Sequence, residues 1–171
     1  MRDRVEAGHA LHGALAPTRA SDADVRAVLL SLLNGHVFVK HGRAGWPKPR
    51  LIWMDVTRPE LGLRWGGTAA HHGGTSNDAA AWLPLGAVTG VSRGRATPVL
   101  ARAPALRAAH YFSLLALDRT LDLEAPNADS ADLWAGALER LFKDAQLLQT
   151  MLIDIVSSGD YVIAQGDAPD T

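Results

Sequence analysis

The sequence predicts a small all-β barrel or sandwich followed by an amphipathic C-terminal helix. Three observations support this fold class. The 171 residues suit one domain with extensions, and the hydrophobic fraction of 47% is enough to fill its core. Between residues 33 and 124, short β-favouring runs alternate with Gly and Pro. After Pro126 the apolar residues change to helical spacing.

The N-terminal part predicts a helix before the first strand. Residues 1–20 are rich in Ala, Gly and His with weak periodicity, which indicates a loose arm or a short helix. Ser21 resembles an N-cap with acids in the following turn, and apolar residues then recur at helical spacing from Val25. We therefore expect a helix over 21–31. Leu32 and Leu33 can end this helix or open the next strand, because Asn34 and Gly35 follow.

Seven candidate strands follow, separated by turn residues. They are Leu33 to Lys40, Arg50 to Asp55, Gly62 to Trp65, Ala80 to Leu85, Ala87 to Arg93, Tyr111 to Leu117 and Thr120 to Glu124. The stretch from 66 to 78 contains Gly-Gly twice and predicts a flexible loop.

The C-terminal part predicts a long helix or two helices with a bend. Asn127 to Ser130 can cap a helix whose apolar face includes Trp134, Leu138 and Phe142. The helical spacing continues beyond Lys143 until Ser157-Ser158-Gly159, so residues 144–171 are expected to be a helical extension with a polar tail.

Composition excludes several classes of protein. The chain has no cysteine, which excludes disulfides, thiolate nucleophiles and cysteine-bound zinc, and it is expected to reside in a reducing compartment. No apolar stretch approaches the length of a membrane helix, and the start lacks a signal-peptide pattern, so a soluble intracellular protein is expected.

Charge is distributed unevenly along the chain although the net charge is only −1. Residues 38–119 contain eleven basic and four acidic side chains, whereas residues 120–171 contain two basic and ten acidic ones. Such a division indicates a basic surface on the strands that faces anions, and an acidic helical side that would repel nucleic acid.

The order of elements and several motifs resemble a pleckstrin homology (PH) domain, in which seven strands form a barrel of two orthogonal sheets capped by a C-terminal helix. The first hairpin, residues 32–50, resembles the PH domains of delta-type phospholipase C. It is also similar to those of plant proteins that join such a domain to chromosome-condensation repeats and a FYVE finger. Gly94 to Thr97, Phe112 to Leu114, Arg119 to Ala125 and Trp134 with Leu138 follow in the expected order. The resemblance covers residues 29–143 and places the PH domain at 32–143.

The resemblance implies a phosphate site between the first two strands. Lys40 matches the lysine of the first strand, Arg50 matches the basic residue of the second strand, and Thr120 matches a threonine near the ligand. Independently, residues 38–54 contain Lys40, Arg43, Lys48 and Arg50 with no acid, a cluster that an anionic headgroup can neutralise.

Other residues are candidates for a wider site. Trp46 is a turn residue that either packs on Pro47 or Pro49 or inserts at a membrane interface. Arg93 and Arg95 either extend the basic face or are simply exposed. The family's basic group in strands three and four is replaced here by Gly66 to Ala69, which predicts weak binding.

Catalysis and metal binding have little support in the sequence. His71 and His72 lack a third ligand at a suitable spacing, and no zinc site or other cofactor is predicted. Asp118, Asp122 and Glu124 are acids that can do acid/base chemistry, but their alternation is also that of strand positions. The chain is therefore expected not to be an enzyme.

Two functions remain open at this point. The first is a module that binds a phosphoinositide or another anionic phospholipid weakly and associates peripherally with a membrane from the cytoplasm. The alternative is an adaptor or scaffold, possibly cytoskeletal, without a lipid ligand. In the alternative, the C-terminal helix binds a partner helix or a second copy through an apolar stripe of Leu147, Leu148, Met151, Leu152 and Ile155. The same stripe can instead fold back on the N-terminal helix.

Overall fold

The computed structural model describes residues 19–68 and 81–162, which contain seven strands and three α-helices. The strands are β1 His36–His41, β2 Lys48–Asp55, β3 Gly62–Gly66, β4 Trp82–Pro84, β5 Val88–Arg93, β6 Tyr111–Ala116 and β7 Thr120–Glu124. The helices are α1 Asp22–Asn34, α2 Ala128–Lys143 and α3 Ala145–Ser157.

The strands form one antiparallel sheet in the order β4-β3-β2-β1-β7-β6-β5. The two expected sheets are joined because β1 pairs with β2 along one edge and with β7 along the other. Within the described ranges β4 and β5 do not pair, so the sheet is not a closed barrel. The predicted PH-like arrangement of seven strands followed by a C-terminal helix is confirmed.

Helix α1 is longer than predicted. Ser21 and Asp24 form a capping box, in which the Ser21 hydroxyl accepts from the Asp24 amide and the Asp24 carboxylate accepts from the Ser21 amide. The helix continues to Asn34 and ends at Gly35, which has φ of 84°. Leu32 and Leu33 thus belong to α1 and not to the first strand, because both are buried in the core from this helix.

One face of the sheet and the three helices share a single hydrophobic core. Phe38 of β1 lies edge-on to Phe112 of β6 and to Trp134 of α2, with ring centroids 5.5 and 4.9 Å apart. The buried side chains of α1, α2 and α3 join the same cluster. Trp134 and Leu138 are buried, and Phe142 is partly buried against the core, as their helical spacing predicts.

The predicted extension is a second helix after a bend. Asp144 ends α2 in an extended conformation, and its carboxylate accepts a hydrogen bond from the Leu147 amide at the start of α3. The bend lets α3 turn back toward α1. Arg26 of α1 then pairs with Asp154 at 3.0 Å and with Asp160 at 2.6 Å.

The connection between β5 and β6 is a structured segment that the sequence does not predict. Residues 94–110 contain two short 3₁₀ helices, Leu100–Arg102 and Ala105–His110. Leu100 and Ala103 pack with Tyr111 in a second, smaller core. This segment covers the face of β6 and β7 that points away from the main core.

Candidate functional site

Three basic side chains share one face of the β1–β2 hairpin. Lys40 pairs with Lys48, and Arg50 pairs with Phe38, so Lys40 and Arg50 are diagonal neighbours. Residues that are paired, or two apart, lie on the same side of a sheet. Lys40, Lys48 and Arg50 therefore lie on the same side as buried Phe38, at the end of the core; we call these three residues the basic face.

The basic face has no ion-pair partner among the described residues. In residues 19–68 and 81–162, none of its three cations forms an ion pair with a carboxylate. Lys48 is exposed, while Lys40 and Arg50 are partly buried. Such an arrangement leaves a concentrated positive charge available to an anion.

Burial and nearby charges act on Lys40 of the basic face. Its pKa is lowered from the ordinary 10.5, chiefly by burial; the charge of Asp122 opposes this shift, and the charge of Arg50 adds a smaller lowering. The Lys40 ammonium lies 5.5 Å from the centroid of the Trp65 ring in β3, a cation–π contact. Trp65 pairs with Ile52 of β2 and thus lies on the same side of the sheet as the basic face.

The turn between β1 and β2 holds two more of the predicted site residues, Arg43 and Trp46. Arg43 is exposed, and its guanidinium donates to the Asp118 carbonyl in the β6–β7 turn at 3.3 Å. Trp46 is 87% exposed, so it does not pack on Pro47 or Pro49. Leu117, in the neighbouring β6–β7 turn, is 88% exposed and was not singled out from the sequence.

Thr120 does not lie on the basic face. Lys40 pairs with Leu123 of β7, and Thr120 is three residues away, which places it on the opposite side of the sheet. Its hydroxyl donates to the Asp122 carboxylate at 2.5 Å. Thr120 is therefore not placed to bind a headgroup at the basic face. It lies on the opposite side of the sheet, and its hydroxyl is hydrogen-bonded to the buried carboxylate of Asp122.

Asp122 is the centre of a buried polar cluster that sequence reasoning missed. Besides Thr120, the hydroxyls of Thr97 and Ser113 donate to it at 2.5 and 2.7 Å. Thr97 comes from the 94–110 segment, so this carboxylate anchors the segment to the sheet. The alternation of polar residues along β7 was a signal for a polar face, but only the fold shows what covers it.

Glu124, the next acid on this side of β7, has two basic partners. His41 Nε2 lies 2.9 Å from one of its oxygens, and Arg107 of the 94–110 segment lies 2.9 Å from the other. Glu124 and His41 are both buried. With Asp122 and Glu124 enclosed and partnered, their arrangement is that of structural residues.

Arg93 and Arg95 do not extend the basic face. Arg93 ends β5, three strands from β1, and pairs with Asp132 and Glu139 of α2 at 3.3 and 3.6 Å. Arg95 donates to the carbonyl oxygens of Leu100 and Ala101 in its own connection. Both guanidinium groups are committed to internal contacts, which corrects the prediction.

The predicted docking stripe is the packing face of α3. Leu148 is 7% exposed and Ile155 is completely buried, while Leu147, Met151 and Leu152 are partly buried against the same core. This is the folded-back alternative, and the five residues do not form an exposed docking face. The bend at Asp144 explains the difference, since it turns the stripe toward α1 and α2.

The described residues contain neither a metal-binding cluster nor a membrane-spanning helix. Within 19–68 and 81–162 no group of three or more His, Cys, Asp or Glu side chains is arranged to hold a metal ion. His71 and His72 lie outside these ranges. No helix in the described part of the chain is long and apolar enough to cross a membrane.

Comparison with known proteins gives matches among solved structures alone. No family model and no curated protein matches the chain. Inner membrane complex sub-compartment protein 1 from Toxoplasma gondii matches with a TM-score of 0.52 and 14% identity, over 77% of this chain and 100% of that chain. The N-terminal PH domain of human ARAP2 matches with a TM-score of 0.40 and 13% identity, over 80% of this chain and 90% of that domain. The first match has a PH-like fold. Together with the strand order, this match shows that the chain has a PH-like fold.

Proposed function

We propose that this chain is a non-catalytic PH-like module that binds the phosphate-bearing headgroup of an anionic phospholipid through its basic face. The observation that carries the proposal is the set of three cations on one side of a hairpin, without an acidic partner among the described residues. The likeness of the hairpin to the delta-type phospholipase C group and to the plant group is part of the proposal. Its site of action is then the cytoplasmic surface of a membrane.

The chemistry of the basic face suits a phosphate group. Lys40 and Arg50 are partly withdrawn from water, and this loss of hydration is the main cause of the lowered pKa of Lys40. A bound phosphate gives both cations charge-assisted hydrogen bonds in place of the lost hydration, with Arg50 able to donate in a bidentate manner. Trp65 forms an apolar wall beside Lys40 and limits competition from water.

The expected affinity for a headgroup is low. Each basic residue near an anionic surface contributes about 1 kcal/mol, so three residues contribute about 3 kcal/mol, which corresponds to a dissociation constant of about 6 mM. Arg43 is not included, since its guanidinium is engaged with Asp118. Stable recruitment therefore requires further contacts with the membrane.

The test is sedimentation with phosphatidylcholine vesicles that contain or lack a phosphoinositide, at several salt concentrations. We expect binding that rises with phosphoinositide content and falls with salt. Removing two cations with Lys40→Gln and Arg50→Gln should weaken it about 30-fold, from about 1 kcal/mol per residue.

The matched control removes the same charge elsewhere, with Arg19→Gln and Lys143→Gln. Both residues border a cleft between α1 and α2 and are exposed. The control variant should bind like the wild type. Equal loss in both double variants would show that net charge alone drives binding, and absence of binding by the wild type would refute the proposal.

The adaptor alternative is not proposed. It depended on the apolar stripe of α3, and this stripe is packed against the chain's own helices. Among the described residues of α3, only the outward-facing Ile153 and Val156 are large, apolar and exposed.

A further inference from the structure

A cleft of about 450 Å³ lies between the start of α1 and the last two turns of α2. Its walls also include Arg93 at the end of β5 and the bend between α2 and α3. A volume of this size is typical of sites for small molecules. The cleft shares no residue with the basic face, and β5 is three strands away from β1 in the sheet. It is therefore a candidate for a second, separate binding site.

Gly136 keeps space open on the α2 side of the cleft. Glycine is among the least favourable residues inside a helix, and Gly136 lies in the middle of α2. A Cβ atom at this position would lie 3.4 Å from Nη2 of Arg93 and 3.5 Å from Cβ of Ala20. The missing side chain thus leaves room for another group beside the Arg93 guanidinium.

The acids that line the cleft already have hydrogen-bond donors within the chain. Asp22 accepts from Arg140 at 2.6 Å, and Asp144 accepts from a backbone amide of α3 at 2.9 Å. Glu139 accepts from Lys143 at 2.8 Å, and this hydrogen bond is the main cause of its lowered pKa. These carboxylates are therefore engaged in holding the walls of the cleft together.

Several cationic donors of the cleft are left over. Within the described ranges, the exposed Arg19 forms no hydrogen bond or ion pair. The Lys143 ammonium has three donors and gives one of them to Glu139. Arg93 approaches carboxylates through Nε and Nη1, which leaves its Nη2 group beside Gly136. The spare hydrogen-bonding capacity thus consists of cationic donors, which suit a ligand with anionic acceptors.

We propose that this cleft binds a small soluble organic molecule through a carboxylate group, with Arg19, Arg93 and Lys143 as the donors. The planar carboxylate matches the fork of donors on a guanidinium group. Four basic and three acidic side chains line the cleft, a net charge of +1, which one carboxylate neutralises. A phosphate monoester, with about two negative charges at neutral pH, exceeds this charge. Ala20 and Leu147 offer apolar contacts to the carbon part of the ligand.

The experiment titrates the full chain with sodium butyrate and follows backbone amides by nuclear magnetic resonance. Butyrate carries one carboxylate and a short apolar tail, so it represents the proposed class of ligand. We expect saturable shifts of the Gly136 and Leu147 amides in the millimolar range, and only small, linear shifts with sodium chloride at the same concentration. Saturation by inorganic phosphate at a lower concentration than butyrate would overturn the carboxylate assignment.

Filling the cleft provides a test that leaves its charges in place. Gly136→Leu should abolish butyrate binding, because its side chain would occupy the space beside Arg93. Gly136→Ala is the matched control: its Cβ makes ordinary contacts, and it should retain most of the binding. Unchanged binding by a folded Gly136→Leu variant would refute the proposal.

Removing donors tests the site even if Gly136→Leu fails to fold. Arg19→Gln, at an exposed position, should weaken butyrate binding about tenfold, since one charge-assisted hydrogen bond is lost. The double variant Lys40→Gln and Arg50→Gln should bind butyrate like the wild type, because its charges are lost from the basic face. Equal weakening by the two proteins would show that butyrate senses only net charge and would overturn the proposal. The proposed lipid site is judged separately, since butyrate binding and vesicle binding depend on different residues.

Discussion

Replacing Lys40 by Met should make the protein more stable and a weaker lipid binder. The substitution keeps an unbranched side chain of similar length and removes the charge. Lys40 is partly buried, close to the charge of Arg50, and has no ion-pair partner among the described residues. Its charge is therefore a cost to folding that the headgroup can offset.

The magnitude follows from the burial of Lys40 and the groups around it. Burial is the main cause of the lowered pKa of Lys40, and the attraction of Asp122 outweighs the repulsion of Arg50. The gain therefore comes from relief of the partial dehydration of the ammonium. Loss of the cation–π contact with Trp65 costs about 0.5–1 kcal/mol in return. We expect a net gain of about 1 kcal/mol, or about 2–4 °C in the unfolding midpoint.

Thermal unfolding followed by circular dichroism measures this gain at low and high salt. The gain should not shrink at high salt, because it comes from relief of dehydration and not from relief of repulsion. Lys143→Met is the matched control: Lys143 is paired with Glu139 at 2.8 Å, so its replacement should cost about 0.3–0.5 kcal/mol. A Lys40→Met variant that is less stable than the wild type, or that binds phosphoinositide vesicles equally well, would refute the reasoning.

The pH dependence of stability provides a second readout of Lys40. A folded-state pKa below the ordinary value of 10.5 means that the unfolded chain binds more protons in the interval between the two values. Stability of the wild type should therefore rise, relative to Lys40→Met, as the pH increases through the lowered pKa toward 10.5. Headgroup binding should fall over the same interval because the ammonium loses its charge. A difference between the two proteins that does not vary with pH would contradict this assignment.

Two further substitutions test the packing. Ile155→Ala, at a fully buried position of α3, should cost about 2–5 kcal/mol, whereas Ile153→Ala, 60% exposed on the same helix, should change stability by less than about 0.5 kcal/mol in chemical denaturation. Similar values for both would show that α3 does not pack as described. Gly62→Ala should cost about 1–3 kcal/mol, because the new Cβ would lie 2.3 Å from the Trp82 indole. Gly67→Ala is the control, since no atom of the described residues lies within 4 Å of an added Cβ there, and equal melting temperatures of the two glycine variants would disprove the close contact.

Much of the fold was predictable because local patterns and tertiary packing agree. The predicted strand Thr120 to Glu124 matches β7, and the other strands differ at their ends by few residues. Leu33 is the informative exception. Its neighbours favour a strand as much as a helix, and the choice is made by the core, which receives Leu33 from α1.

The candidate site was predictable only in part. Lys40 and Arg50 were identified from the resemblance, and Lys48 was added by the acid-free segment; the observed register puts the three on one face of the hairpin. Arg93 was a possible extension of this face, but it pairs with Asp132, which lies far along the chain. Thr120 was assigned by resemblance, but the pairing of Lys40 with Leu123 places it on the opposite side of the sheet. Neither outcome is visible in local sequence spacing.

The sequence by itself determined the order and types of most elements, the acid-free basic segment at residues 38–54 and the apolar stripe of the last helix, because each depends on neighbouring residues along the chain. The tertiary structure decided how these parts are used. The bend at Asp144 turns the stripe inward, and the antiparallel pairing of β1 with β7 brings Trp46 and Leu117 to one end of the sheet. These outcomes depend on contacts between residues far apart in sequence, where burial and register, and not local propensity, set the position of a side chain.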